Sequence, residues 1–255
     1  MTSEVGGFLA GLLIAVLTAP VGVSGAVFLL PVQVSLLGVP NPAVTPTNLL
    51  YNVVAAPGAL LRYRGAGHLG GPLTRRLVAC TVPGVVVGAT IRVLVLPGPG
   101  AFRIVAGIVL IAIGAWLLQR TLRPREHRAL SERHISLLAL GVGVVGGIYG
   151  IGGGSILSPL LVGSGLGVAV VAPAALASTF VTSIVGALTF GLLSLVADGS
   201  IAPDWPIGVA CGLGGLVGGY LGALLQPRMP ELLLRLGLGV LAVAIGLLYL
   251  AQALG

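Results

Sequence analysis

The chain has 255 residues, of which 56% are hydrophobic and only 7% charged, with a formal net charge of +7. A water-soluble domain carries about 25% charged residues, so this composition, with its mean hydropathy of +1.13, excludes one and points to a polytopic all-α membrane protein. The positive charge does not indicate nucleic acid: all thirteen basic residues are arginine and five fall between Arg120 and Arg133, as in a cytosolic loop obeying the positive-inside rule.

The N-terminal MTSEVGG lacks a basic n-region, so the first hydrophobic stretch is expected to be retained rather than cleaved. Two apolar pieces follow, Gly7–Pro20 and Ser24–Gly38, separated by glycine and proline. Each is long enough for roughly 21–24 Å of helix, short of the roughly 30 Å hydrocarbon core. A glycine-interrupted helical hairpin is therefore predicted. Three longer spans come next, at about 43–62, 73–95 and 101–119. The first of them opens with TPTNLLYN, carrying Thr45, Thr47, Asn48, Tyr51 and Asn52. Asn48 and Asn52 are four residues apart and share one helical face.

After the basic loop at 120–134 the series recurs. Ile135–Gly150 and Gly153–Gly167 form a second broken hairpin, followed by spans at about 168–197, 205–226 and 232–252. VGVSGAVFLLP (Val21–Pro31) aligns with YGIGGGSILSP (Tyr149–Pro159), and the tripeptide VAC recurs at Val78–Cys80 and Val209–Cys211. One transporter domain built of two repeats, about 6–119 and about 135–252, is the organisation expected. If each hairpin turns back, each half crosses three times and the halves are inverted relative to one another. The loops Arg62–Arg76, Arg120–Arg133 and Arg228–Arg235 then share the cytosolic face, leaving only Arg92 and Arg103 opposite. Inverted repeats with interrupted helices are a transporter signature.

Irregular backbone at membrane depth is tolerated only when buried in protein or lining a wet cavity. The run Gly152, Gly153, Gly154 and Ser155 would expose amide N–H groups at the start of a half-helix, where the helix dipole favours an anion. Ser24 and Gly25 are its counterpart in the first half. Close helix packing is the competing reading for glycines, and it fits the four-residue stripe Gly214, Gly218, Gly222 better. Ser178, Thr179, Thr182 and Ser183 place hydroxyls in the second half where the first has its asparagines. Such groups either join helices or line a route. Cys80 and Cys211 lie inside apolar runs, read as packing residues and form no metal or disulfide pattern; neither a metal nor a cofactor is expected.

Two motifs have an enzyme-like form. GVGVVG at Gly141–Gly146 has the dinucleotide form, but the ribose-binding acid is missing about twenty residues on. GVSG at Gly22–Gly25 and GHLGG at Gly67–Gly71 resemble the serine and histidine motifs of rhomboid proteases. A Ser24–His68 dyad is thus the alternative function, though His68 falls among arginines in a cytosolic turn.

The glycine run ending in proline, the Thr/Ser-bearing span after it and their repetition resemble the sulfite exporter TauE/SafE family, also called the 4-toluene sulfonate uptake permeases, over roughly residues 6–250. The resemblance implies a non-enzymatic, multi-pass protein of the cytoplasmic membrane. It implies export of small sulfur-containing anions: sulfite, sulfoacetate or other organosulfonates. Where the family often has a second glycine-rich run, this chain has APVGVSGA, which suggests that its halves hold substrate asymmetrically. The expected substrate-binding residues are Ser24, Gly25, Asn48, Tyr51, Asn52, Gly152, Gly153, Gly154, Ser155, Ser178, Thr179 and Thr182. The lipid bilayer is the expected surrounding, with a homodimer as one open assembly. No acid lies convincingly inside a span, so alternating access driven by the membrane potential is expected in place of a co-ion.

Overall fold

A computed structural model describes residues 2–40, 43–65, 69–94, 100–123, 130–195 and 202–254. Among the described residues every regular element is helical. Ten α-helices follow one another: α1 (Thr2–Thr18), α2 (Ala26–Ser35), α3 (Val44–Gly65), α4 (Pro72–Leu94), α5 (Gly100–Leu122), α6 (Glu132–Tyr149), α7 (Gly154–Gly163), α8 (Val168–Leu193), α9 (Trp205–Leu225) and α10 (Glu231–Leu254). Short 3-10 turns at Ala19–Val21 and Gln226–Arg228 extend α1 and α9.

The hairpin arms are less equal than their sequences suggest. The outgoing arms α1 and α6 have 17 and 18 residues, whereas the returning arms α2 and α7 have 10 each. α1 stops at Thr18, two residues before the Pro20 at which the sequence breaks, and Ala19–Val21 continue it as a 3-10 turn. Among the described residues, five helical segments are long and apolar enough to cross a membrane, including Ser3–Val21. α3 is not one of them, because its asparagines, threonines and two arginines lower its hydropathy. The outer surface is nevertheless apolar, with Leu9, Leu13 and Leu17 of α1 and Leu188 and Leu192 of α8 exposed. In water such a surface would be costly; against acyl chains it is the natural one.

Small residues set how the helices pack. A methyl group on Gly214, Gly218 or Gly222 would overlap the carbonyl oxygens of Phe8, Leu12 and Val16 respectively. The α9 stripe is thus a close-packing seam, and α1 and α9 run in the same direction. α9 also lies along α3, with Gly208 beside Leu50 and Gly212 beside Val54. On the other side, Gly143 and Gly147 of α6 meet the backbone of Thr81 and Val85, so α4 and α6 run parallel. Gly107 against Gly246 and Gly114 against Gly239 make α5 and α10 antiparallel. In the middle, Pro46 and Phe190 line one cavity, Leu49 abuts Gly186, and Ala55 shares a second cavity with Leu176. α3 and α8 therefore cross antiparallel at the centre, each carrying a buried polar face.

Proline inside the short helices has a matching remedy. Pro31 has no N–H, which frees the carbonyl of Val27 four residues earlier. The Tyr249 hydroxyl of α10 donates to that carbonyl at 3.0 Å. In an apolar medium each freed backbone group needs such a partner.

Candidate functional site

Both hairpin breaks turn on left-handed glycines. Gly22 has φ 74°, and Gly150 and Gly152 have φ 65° and 72°, values at which a side chain strains the backbone. The turns aim the N-termini of α2 and α7 at each other. The Ser24 N–H donates to Ser155 Oγ at 3.3 Å, and the Ser158 hydroxyl donates to the Val21 carbonyl. Two short helices that start 128 residues apart in the sequence, at Ala26 and Gly154, thus touch, start to start, inside the protein.

α3 and α8 supply the side chains around this junction. The Ser24 hydroxyl donates to Asn52 Oδ1 while Ser24 Oγ accepts the Ala26 N–H at 3.1 Å. Asn48 Nδ2 donates to the Ala26 carbonyl at 2.9 Å. Tyr51 places its hydroxyl against Gly25, where a Cβ would collide with it. Around α7, the Gly153 N–H donates to Thr182 Oγ1 at 3.1 Å. Ser178 Oγ lies 2.8 Å from Thr81 Oγ1 of α4. Gly154 has no room for a side chain, since a methyl would overlap the Ala175 carbonyl and approach Thr179 Oγ1 at 2.6 Å.

All twelve residues singled out from sequence therefore gather at this junction, in two groups joined by the Ser24–Ser155 hydrogen bond. Sequence reading missed Thr18, Thr81 and Ser158. Thr81 is a lone hydroxyl in an apolar run, whereas Thr18 stands at the edge of the Ala19–Pro20 break and Ser158 lies within the repeated motif, directly before Pro159. His68 lies outside the described residues. Ser24 has Asn52 rather than a base as its partner, so the described junction lends the protease reading no support.

The junction holds buried polar atoms with no hydrogen-bond partner among the described residues: Asn48 Oδ1, Asn52 Nδ2, Thr179 Oγ1, Ser183 Oγ and Thr18 Oγ1. A buried unsatisfied group costs about 1–3 kcal/mol, so several together mark a place meant to be filled. Ser24, Gly25, Tyr51, Asn52 and Thr18 line a cavity of about 20 Å³, enough for one water molecule and too little for an oxyanion. In this conformation the protein's own hydroxyls occupy amides that an anion would need. No group of His, Cys, Asp and Glu suited to a metal occurs among the described residues. The junction's donors are neutral: backbone amides at helix starts, hydroxyls and carboxamides.

A bundle of apolar-surfaced helices around two touching, interrupted hairpins defines a multi-pass membrane protein of the transporter class. The sequence model of the sulfite exporter TauE/SafE family matches residues 7–249, and the chain belongs to that family. No curated protein and no solved structure matches it.

Proposed function

We propose that this chain exports small sulfur-containing anions, namely sulfite, sulfoacetate or other organosulfonates, across the cytoplasmic membrane by alternating access. The observation that carries the reading is the junction itself. Two half-helix N-termini meet where buried donors such as Asn52 Nδ2 and Ser183 Oγ have no partner among the described residues. An anion entering there would take the Ser24 and Gly153 amides from Ser155 and Thr182 and give the orphaned donors an acceptor. Substrate is thus held by Ser24, Gly25, Tyr51 and Asn52 on one side and by Gly152–Ser155, Thr179 and Thr182 on the other. Asn48 and Ser178 brace the two groups. Neutral donors suit a substrate that must also leave, because a fixed cation would hold it more firmly.

The halves, about 6–119 and 135–252, are read as an inverted repeat. In support, α1, α3 and α9 run one way while their counterparts α6, α8 and α4 run the other. α5 and α10, also counterparts, are antiparallel. Such a duplicate has two near-equivalent states open to opposite sides. With the loop 120–134 in the cytosol, an outgoing anion moves with the inside-negative potential, worth about 2.3 kcal/mol per charge per 100 mV.

Ligand-induced thermal stabilisation of the purified protein across sulfite, sulfate, thiosulfate, sulfoacetate and taurine tests the assignment. A binder raises the melting temperature in proportion to RT ln(1 + [L]/Kd). Stabilisation of the wild type by a sulfur anion, lost in Asn52→Ala, is the expected result. No stabilisation by any of them, with both proteins folded, would remove the junction as the substrate site.

A further inference from the structure

A second and larger cavity, of about 260 Å³, opens at the arginine-bearing end of α3. Arg62, Val168, Ala169, Ala223, Gln226 and Glu231 are among its walls. Its charges are unbalanced in a particular way. The Glu231 carboxylate is taken by Arg235, at 2.8 Å and 3.2 Å, and also accepts the Val168 N–H at 3.4 Å. Arg62 forms no ion pair among the described residues, and its Nε is buried without a hydrogen-bond partner. One uncompensated guanidinium beside Val168, Ala169 and Ala223 suits a small oxyanion with a short apolar tail.

This cavity lies next to the small one at the junction and is separated from it by a thin wall. Tyr63 lines the larger cavity and Ala59, one turn back along α3, lines the smaller. Ala223 and Gly219 of α9 repeat the relation. The wall is the 3-10 turn Ala19–Val21, held by two side-chain hydrogen bonds. Tyr63 Oη donates to the Ala19 carbonyl at 3.1 Å, and Gln226 Nε2 donates to the Pro20 carbonyl at 2.8 Å. Beyond the wall, the small residues Ala55, Ala56, Ala59 and Gly215 line one side of the cavity that reaches Asn52, with Tyr51 and Leu176 among its other walls.

We infer that the larger cavity is a second anion site, the vestibule in which Arg62 captures a small organic sulfonate before it reaches the junction, and that the Tyr63–Ala19 and Gln226–Pro20 hydrogen bonds latch the door between them. This rests on the exporter reading for its direction, but the site can be tested without transport. Ala169, exposed at the rim, is replaced by cysteine after Cys80→Ala and Cys211→Ala. It is then labelled with a thiosulfonate reagent carrying either a sulfonate or a quaternary ammonium group, in vesicles of zwitterionic lipid. A positively charged cleft concentrates anions by tenfold or more. Arg62→Gln should therefore slow the sulfonate reagent roughly tenfold and leave the ammonium reagent as fast or faster. Arg62→Lys should restore the sulfonate rate, and ethanesulfonate should protect the cysteine.

The latch has its own readout. Cysteine in place of Ala59 should be unreactive with Tyr63 and Gln226 present, and should label with Tyr63→Phe plus Gln226→Leu. Equal slowing of both reagents by Arg62→Gln, or protection by anionic lipid but not by ethanesulfonate, would overturn the capture site. An Ala59→Cys that stays unreactive in the unlatched protein, with gel filtration showing it folded, would overturn the door. Arg62-dependent labelling in a protein that moves no sulfur anion would keep the vestibule and remove the exporter; transport with labelling indifferent to Arg62 would do the reverse.

Discussion

At the scale of single residues, glycines at the junction and glycines elsewhere make opposite predictions. Gly154 has the Ala175 carbonyl where a methyl would go, so Gly154→Ala should lower the melting temperature and disturb α7. Gly141, in the middle of α6, has nothing within 4 Å of its absent Cβ. Gly141→Ala should raise stability by up to about 1 kcal/mol, from helix propensity alone. Thermal unfolding of the two variants side by side checks both, and a loss of stability at Gly141 would point to a role the packing does not show. Asn52→Ala should cost only about 1–2 kcal/mol of stability, since it removes one partner of Ser24, yet it should abolish substrate binding. Much of this site was legible in the sequence because glycine runs and paired asparagines are costly inside a bilayer and rarely idle there. Thr81 and Ser158 were not. Thr81 Oγ1 also bonds the Leu77 carbonyl at 2.7 Å, the ordinary habit of a helical threonine. Its approach to Ser178 is a tertiary fact with no local sign.

Among the elements, the two short helices matter most, because each must end in mid-protein without leaving its backbone unsatisfied. The Pro31–Val27–Tyr249 arrangement ties α2 to α10. Tyr249→Phe should therefore cost about 1–2 kcal/mol in the wild type. With Pro31→Ala the cost should shrink, because the restored N–H can take the Val27 carbonyl itself. A double-mutant cycle by thermal or chemical unfolding measures that coupling, and an additive result would deny it. The longer helices were located from sequence to within a few residues, since proline, glycine and charge punctuate them clearly. The hairpin breaks were placed nearly as well, since Pro20 and Gly22 mark the first and Gly150 and Gly152 the second; that Tyr63 and Gln226 hold the carbonyls of Ala19 and Pro20 is a tertiary fact with no local sign. The α9 stripe had the opposite character. Its four-residue glycine spacing already implied a packing seam, and Gly218→Val should separate α1 from α9, with lower yield and melting temperature than Gly141→Ala.

For the whole molecule, parallel and antiparallel helix pairs combine into an arrangement in which each half packs through the counterparts of the other's surfaces. On the proposed inverted-repeat reading, such a duplicate would let the Ser24–Ser155 contact open towards either side while the outer helices stay in lipid. Sequence alone suggested that organisation through the recurring Gly, Pro and VAC positions and through the arginine distribution. The paired glycine breaks already suggested that the two half-helix starts approach one point, but their particular contact, between residues 131 apart in sequence, has no local sign. The most direct measurement is sulfite and sulfoacetate efflux from proteoliposomes at equal pH, with the potential set by a potassium gradient and valinomycin. Saturable efflux that accelerates when the interior is made negative, and that Asn52→Ala eliminates, is the predicted result. Efflux that ignores the potential and requires a pH gradient, or no efflux of any sulfur anion by the folded protein, would contradict it.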